Sequence, residues 1–173
     1  MDIFAKRIEK LKCIMKDKGY SAFYIANITN VRYLSGFTGS SGFLLITDTN
    51  NHFFSDGRYT EQSKHEIDDY VIHITNNHLQ LISEEKLIES NATICFEGND
   101  LSYDMYTKFK LHFPSNNLIA VNDIVENIAA VKDQTEIDAL QTAVDITDRV
   151  FDLILPEIKV GVTEKHIAAR ISY

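Results

Sequence analysis

A chain of 173 residues is long enough for one domain with a real core, and its 45% hydrophobic and 24% charged residues argue against disorder. The net charge of -8 argues against a nucleic-acid partner or an anionic-membrane partner, because either would need clustered Lys and Arg. No apolar run approaches the roughly 20 residues that cross a bilayer. The first residues, Met1 to Arg7, lack the layout of a secretory signal, so the sequence predicts a cytoplasmic protein.

The beginning of the chain predicts one helix followed by strands. Phe4, Ile8, Leu11 and Met15 recur at helical spacing, and Gly19 is a suitable residue to end that helix. Short apolar runs then predict strands at 22–25, 42–46 and 52–54, with a hairpin turn at 47–51 between the last two.

The middle of the chain alternates helices with strands. Asp56 is expected to cap a helix from Gly57 to about Glu66. Further strands are predicted at 70–74, 93–96 and 118–121, and further helices at 79–88 and 102–113. This alternation predicts a layered α/β domain.

The pattern changes at Asp133, where Asp133 and Glu136 form a capping-box signature. A long helix is predicted there, with one apolar face formed by Ile137, Leu140, Val144, Phe151 and Ile154. Pro156 is expected to end or kink it, and Thr163 to cap a further helix that is still open at Tyr173, which favours a truncated polypeptide. We therefore expect two parts, residues 1–125 and residues 126–173.

The segment from Arg32 to Gly42 is predicted to be a glycine-rich loop between two strands, anchored by Tyr33 and Phe37. Phosphate binding also uses such glycines, but neither GxxxxGK[ST] nor GxGxxG is present. After the next strands, Asp56-Gly57-Arg58-Tyr59 could bind an anion at a helix N-terminus. The alternative, which we favour, is that Asp56 caps the helix and Arg58 pairs with an acidic neighbour.

Other residues that carry chemistry form no convincing site in the sequence. His52, His65, His73 and His78 lack an HExxH or comparable pair, so we expect surface histidines and no metal site. Cys13 and Cys95 have no CxxC spacing, so we expect buried reduced thiols. No GxSxG motif is present, and the sequence assigns no catalytic residue.

Four patterns in order resemble the creatinase/prolidase/aminopeptidase P family of metallopeptidases. They are Asn30-Val31-Arg32-Tyr33-Leu34-Ser35-Gly36-Phe37-Thr38-Gly39-Ser40, then Asp56-Gly57-Arg58-Tyr59, then Val131-Lys132-Asp133-Gln134-Thr135-Glu136-Ile137, and finally Gly161-Val162-Thr163-Glu164. The chain is most similar to the N-terminal domain of bacterial Xaa-Pro dipeptidases and aminopeptidases, plus the start of their catalytic "pita-bread" domain. The resemblance implies a mixed sheet flanked by helices, ribonuclease H-like, followed by a long helix.

The resemblance also implies a function. The intact parent would be a hydrolase that cleaves the bond before proline with two divalent metals (Mn, Co or Zn), whose ligands lie downstream of this chain. The fragment itself would be inactive, holding no metal, and would pack on its own peptidase domain, support a homodimer and restrict the pocket to short proline-containing peptides. The residues expected to touch substrate in trans are Arg32, Thr38, Gly39, Ser40 and Ser41. The residues expected to be structural are Tyr33, Gly36, Phe37, Asp56, Arg58 and Tyr59.

Two alternatives remain open at the level of sequence. The chain could be a stand-alone binding module that lost its peptidase domain. It could also come from a relative of creatine amidinohydrolase, which uses the two-domain fold without metal. Whether the reading frame continues past Tyr173 into metal ligands separates the first alternative from the peptidase.

Overall fold

A six-stranded mixed sheet organises the chain as far as Ala130. The computed structural model describes residues 3–172, so the predicted interruption of the last helix at Tyr173 lies outside the described residues. The strands, in chain order, are β1 (Ala22–Ile25), β2 (Phe43–Thr47), β3 (Asn51–Ser55), β4 (Val71–Ile74), β5 (Thr93–Glu97) and β6 (Asn117–Val121). Their order across the sheet is β4-β3-β2-β1-β5-β6, and β2 runs antiparallel to both neighbours while the other pairs are parallel.

Helices cover both faces of this sheet. They are α1 (Ile3–Lys18), α2 (Ile28–Ser35), α3 (Thr60–Glu66), α4 (His78–Glu84), α5 (Tyr103–His112) and α6 (Ile124–Ala130). Because successive strand residues point to opposite faces, Phe23 and Ile25 pack with α1, α2 and α6, whereas Ala22 and Tyr24 pack with α4 and α5. The predicted α/β class, a mixed sheet with flanking helices, is confirmed.

The prediction of a loop from Arg32 onward is wrong for its first residues. Arg32 to Ser35 are the last turn of α2, which begins where the Asn27 side chain accepts a hydrogen bond of 2.9 Å from the amide of Thr29. The helix ends at Gly36, whose φ of 80° is a conformation that residues with a Cβ rarely adopt. Asn27 and Gly36 are thus cap signals that delimit a helix of only eight residues.

Two other predicted helices differ from the structure in detail, and one helix was not predicted. The helix expected from Gly57 is a 3₁₀ turn (Gly57–Tyr59) followed by α3. The helix expected at 79–88 ends at Glu84. Helix α6 was not predicted, although it buries Val125 and Ile128 in the core.

The second compact unit begins at Val131 and contains α7 (Gln134–Ile154) and α8 (Glu164–Ile171). The predicted capping box at the start of α7 is confirmed, because Asp133 and Glu136 exchange hydrogen bonds of 3.0 Å. Leu155–Glu157 forms a 3₁₀ turn containing Pro156, and the Thr163 side chain accepts a hydrogen bond from the amide of His166 to start α8. The boundary between residues 125 and 126 stays a prediction.

Candidate functional site

The candidate site is the loop from Gly36 to Gly42, which joins α2 to β2, together with the turn from Asp56 to Tyr59 after β3. We call the first segment the 36–42 loop. Phe37 anchors it, because its side chain is fully buried with its ring centroid 4.7 Å from that of Phe53 and 5.4 Å from that of Tyr59. On either side of this anchor, Arg32, Thr38 and Ser40 are exposed.

Thr38 is held by the end of α3. Its amide donates a hydrogen bond of 2.7 Å to Glu66 Oε2, and its hydroxyl donates one of 2.6 Å to Glu66 Oε1. The Gln62 side chain donates to Thr38 Oγ1 and to Glu66 Oε1, at 2.9 Å each. Burial tends to raise the pKa of Glu66, but the hydrogen bonds from Thr38 and Gln62 and the charge of Arg32 outweigh it and hold that pKa below its usual value.

The second half of the loop is held by β3 and the turn that follows it. Ser40 Oγ lies 2.7 Å from the Tyr59 hydroxyl, and Ser55 donates a hydrogen bond of 2.6 Å to the carbonyl of Ser41. The hydrogen bonds from Ser40 lower the pKa of Tyr59. At Gly39 a Cβ would lie 2.8 Å from the Tyr59 ring and closer still to the Phe37 ring, so this position requires glycine.

Asp56 and Arg58 are paired with each other. Arg58 donates to both carboxylate oxygens of Asp56, at 2.9 Å and 2.8 Å, while its amide donates to Asp56 Oδ1 at 3.0 Å. The Arg58 side chain thereby holds the pKa of Asp56 well below its usual range. Since the Arg58 charge is balanced within the turn, the arrangement fits the architectural interpretation of this motif better than an anion site.

Arg32 is exposed at the end of α2 and faces the loop. Its guanidinium donates one hydrogen bond, of 3.2 Å, to the carbonyl of Thr38. A guanidinium carries five N–H groups in a planar fork that suits a carboxylate. The Arg32 side chain is therefore exposed and attached to the loop by this hydrogen bond.

A buried carboxylate that was not predicted as a site residue fixes the start of α2 by hydrogen bonds. Glu97, only 7% exposed, ends β5 and accepts hydrogen bonds of 2.7 Å from the amides of Ala26 and Asn27 and from the Asn30 side chain. Burial raises the pKa of Glu97, and these hydrogen bonds oppose the rise. The available signal was a carboxylate directly after the apolar run Thr93–Phe96, where a parallel strand ends.

The expectation of surface histidines is wrong for His52, which is 5% exposed. His52 Nδ1 lies 3.1 Å from His73 Nε2, and the Tyr24 hydroxyl lies 2.9 Å from His78 Nε2. The side chains of His52 and His73 lie on the same face as Phe54, because β3 and β4 pair in parallel with Phe54 opposite His73. Burial lowers the pKa of all three histidines, that of His78 to about 4.

The two cysteines differ in exposure. Cys95 is buried in the sheet, as expected, and burial raises its pKa to about 12. The prediction of a buried thiol is wrong for Cys13, which is exposed because it lies on the solvent side of amphipathic α1. Both are free thiols.

The described residues do not assemble a metal centre. Among residues 3–172, no three side chains of His, Cys, Asp or Glu are grouped so that they could hold a metal ion. The two-metal site that the resemblance implies for a whole peptidase does not fit the residues present, and we assign no catalytic step to them. No helix within residues 3–172 is long and apolar enough to cross a membrane.

Comparison with known proteins assigns this architecture. The peptidase YqhT of Bacillus subtilis, itself uncharacterized, is 31% identical over 169 residues, which are 96% of this chain and 48% of YqhT. The structure of an Xaa-Pro dipeptidase from Bacillus anthracis matches 97% of this chain and 47% of that one, with a TM-score of 0.82 and 26% identity. The chain thus spans about half the length of each of these relatives.

A separately solved N-terminal domain matches most of this chain. The N-terminal domain of the cytoplasmic peptidase PepQ from Mycobacterium tuberculosis aligns with 71% of this chain and 98% of its own length, with a TM-score of 0.64 and 27% identity. The Creatinase/Prolidase N-terminal domain family matches residues 7–131, which include the 36–42 loop, the Asp56–Tyr59 turn and Glu97. This chain belongs to the Creatinase/Prolidase N-terminal domain family.

Proposed function

We propose that this chain is the non-catalytic N-terminal part of an Xaa-Pro peptidase and that its 36–42 loop shapes the substrate pocket of a neighbouring subunit. The observation that carries the proposal is a polar loop held by its own domain while it faces outward. Glu66 and Tyr59 fix the loop, yet Arg32, Thr38 and Ser40 remain exposed. An exposed loop whose conformation is already fixed favours recognition, because little ordering free energy is lost on binding.

The proposed ligand is a short peptide whose bond before proline is hydrolysed. Several similar proteins are Xaa-Pro dipeptidases, among them those of Pyrococcus furiosus and Bacillus anthracis, and this supports the substrate class. Arg32 would bind the peptide carboxylate through its planar fork, and Thr38, Gly39, Ser40 and Ser41 would line the pocket wall. This contact in trans requires a homodimer, which is part of the proposal.

The exposed apolar side chains of the second unit favour a further partner, the peptidase domain of the same protein. On α7 the residues Ile137, Leu140, Val144 and Phe151 are 46%, 55%, 50% and 61% exposed. An apolar stripe of this length needs a surface that covers it, because a helix is stabilised mainly by burying such a face. We propose that the peptidase domain supplies this surface.

Catalysis would belong to that domain. Two divalent metals, Mn, Co or Zn, would supply a hydroxide for attack on the peptide carbonyl. The chain of 173 residues is therefore predicted to be inactive by itself. The cytoplasmic location and manganese as the native metal also stay predictions.

Hydrolysis of Ala-Pro and of longer Xaa-Pro peptides with added Mn²⁺ tests the proposal. The 173-residue chain is compared with the polypeptide read to the natural stop codon. We expect turnover from the longer polypeptide alone. Turnover by the 173 residues would contradict the proposal, and no turnover by either would favour a stand-alone binding module.

A further inference from the structure

The last residue of α3 is a carboxylate that accepts hydrogen bonds from the 36–42 loop and from α3 itself. Glu66 is the last residue of α3. Its two oxygens accept hydrogen bonds of 2.7 Å from the amide and 2.6 Å from the hydroxyl of Thr38. Gln62 lies one helical turn earlier and donates to Glu66 Oε1 at 2.9 Å. Because its own oxygen is fixed by Gln62, the Glu66 carboxylate meets Thr38 in a defined orientation.

Thr38 is consequently held from two sides. Glu66 accepts a hydrogen bond from the Thr38 amide, while the guanidinium of Arg32 donates one of 3.2 Å to the Thr38 carbonyl. Hydrogen bonds to a charged group contribute roughly twice as much as those between neutral groups. The peptide groups on both sides of Thr38 thus have a fixed direction, although the residue is exposed.

The same contacts fix Arg32. Arg32 reaches the loop through the Thr38 carbonyl, and its charge acts on Glu66. If Thr38 moved, Arg32 would lose the acceptor that orients its planar fork. The carboxylate of Glu66 therefore governs both parts of the proposed pocket wall, the loop backbone and the arginine.

We propose that Glu66, aligned by Gln62, is a positioning residue that sets the substrate-binding conformation of the 36–42 loop and of Arg32. It would act through Thr38 and would not touch the peptide itself. The inference rests on the proposed function, because a loop conformation can alter substrate binding only if the loop contacts substrate.

The first measurement is amide hydrogen exchange in the 173-residue chain, which needs no activity. Glu66→Gln keeps one acceptor oxygen and Glu66→Ala removes both, so exchange at Thr38 should rise about tenfold in the first and further in the second. The matched control is Glu61→Gln on the same helix, since Glu61 forms an exposed ion pair with Lys64. Exchange in β1 and β5 should stay unchanged in all three.

The second measurement is the kinetics of Ala-Pro hydrolysis with Mn²⁺ by the polypeptide read to its natural stop codon. Glu66→Gln should raise KM about fivefold, with kcat close to that of the unmodified enzyme, because the loop acts in substrate binding. Glu61→Gln should change neither constant. A role in stability alone would leave KM unchanged.

The outcomes separate the inference from the proposed function. If Arg32→Ala raises KM but both Glu66 variants leave KM and Thr38 exchange unchanged, the inference is overturned and the proposed function stands. If Arg32→Ala also leaves KM unchanged, the proposed function fails and the inference fails with it. Faster exchange at Thr38 together with a raised KM supports both.

Discussion

The side-chain amide of Asn30 donates a hydrogen bond of 2.7 Å to Glu97 Oε1, although 67 residues separate the two in the chain. The same amide donates one of 2.6 Å to Glu126, so α2, β5 and α6 meet at this point. The other oxygen of Glu97 accepts hydrogen bonds from the amides of Ala26 and Asn27. These bonds fix the chain just before α2 begins. Glu97 thus sets where α2, and with it Arg32, lies.

Glu97→Ala should lower the free energy of unfolding by roughly 2 to 4 kcal/mol, because it leaves buried amide donors without an acceptor. Urea unfolding of the 173-residue chain measures this. The control is Glu9→Ala, because Glu9 is exposed on α1 and its replacement should change stability by less than about 0.5 kcal/mol. Equal stability of the two variants would contradict a structural role for Glu97.

Gly39→Ala should destabilise the 36–42 loop. The added Cβ would meet the rings of Phe37 and Tyr59, and Phe37 cannot retreat because it is packed on Phe53. Overpacking of this kind costs about 1 to 3 kcal/mol.

The matched control for this prediction is Gly57→Ala, because a Cβ on Gly57 has nothing within 4 Å. Urea unfolding should separate the two variants, with Gly57→Ala close to the unmodified chain. A Gly39→Ala protein as stable as Gly57→Ala would contradict close packing of the Phe37 and Tyr59 rings around Gly39.

His78 should make stability depend on pH. Its folded pKa, lowered to about 4 by burial and by nearby His112, lies below the ordinary value of 6.5, so the fold favours the neutral ring. The unfolded chain therefore takes up the proton first, and stability should fall as the pH drops from about 6.5 toward 4, by roughly 2 to 3 kcal/mol. The lowered pKa values of His52 and His73 act in the same direction.

Urea unfolding between pH 7 and pH 4 measures this dependence. His78→Gln keeps a hydrogen-bonding group near the Tyr24 hydroxyl but does not titrate, so its stability should change less with pH. His65→Gln, at an exposed position on α3, should retain the full dependence. If all three proteins show the same slope, His78 does not carry the effect.

The two thiols should react at very different rates. Cys13 is exposed, whereas Cys95 is buried with its pKa raised to about 12 and its thiol donating to the Ala22 carbonyl. A thiol-reactive disulfide reagent should therefore modify one thiol in the folded chain and both after unfolding. Cys13→Ser should abolish the fast reaction, and a fast reaction that persists in this variant would contradict the buried position of Cys95.

Much of the fold could be predicted because local patterns determine it. Short apolar runs such as Thr93–Phe96 and the capping box at Asp133 and Glu136 indicate a strand and a helix start without tertiary information. Helix α2 was missed because only eight residues separate its caps, Asn27 and Gly36, and the glycines that follow indicate a loop. The order of strands was not predicted either, since pairing is set by contacts between distant segments.

The candidate site was only partly predictable. The motif residues Arg32, Thr38 and Ser40 stand out in the sequence. The carboxylates that fix the loop and the start of α2 by hydrogen bonds do not. Glu66 lies 28 residues beyond Thr38, and Glu97 lies 70 residues beyond Asn27. Such partners are ordinary carboxylates in the sequence, and only the sheet topology brings them to the loop and to α2.

The most direct test of the central claim is the KM for Ala-Pro of the polypeptide read to its natural stop codon, with and without Arg32→Ala. We predict that KM rises about tenfold while kcat changes little, and that Arg32→Lys is intermediate because lysine lacks the planar fork. Lys10→Ala, at an exposed position on α1, should leave both constants unchanged. A KM for Arg32→Ala equal to that of the unmodified enzyme would contradict the claim that this domain contributes to the substrate pocket.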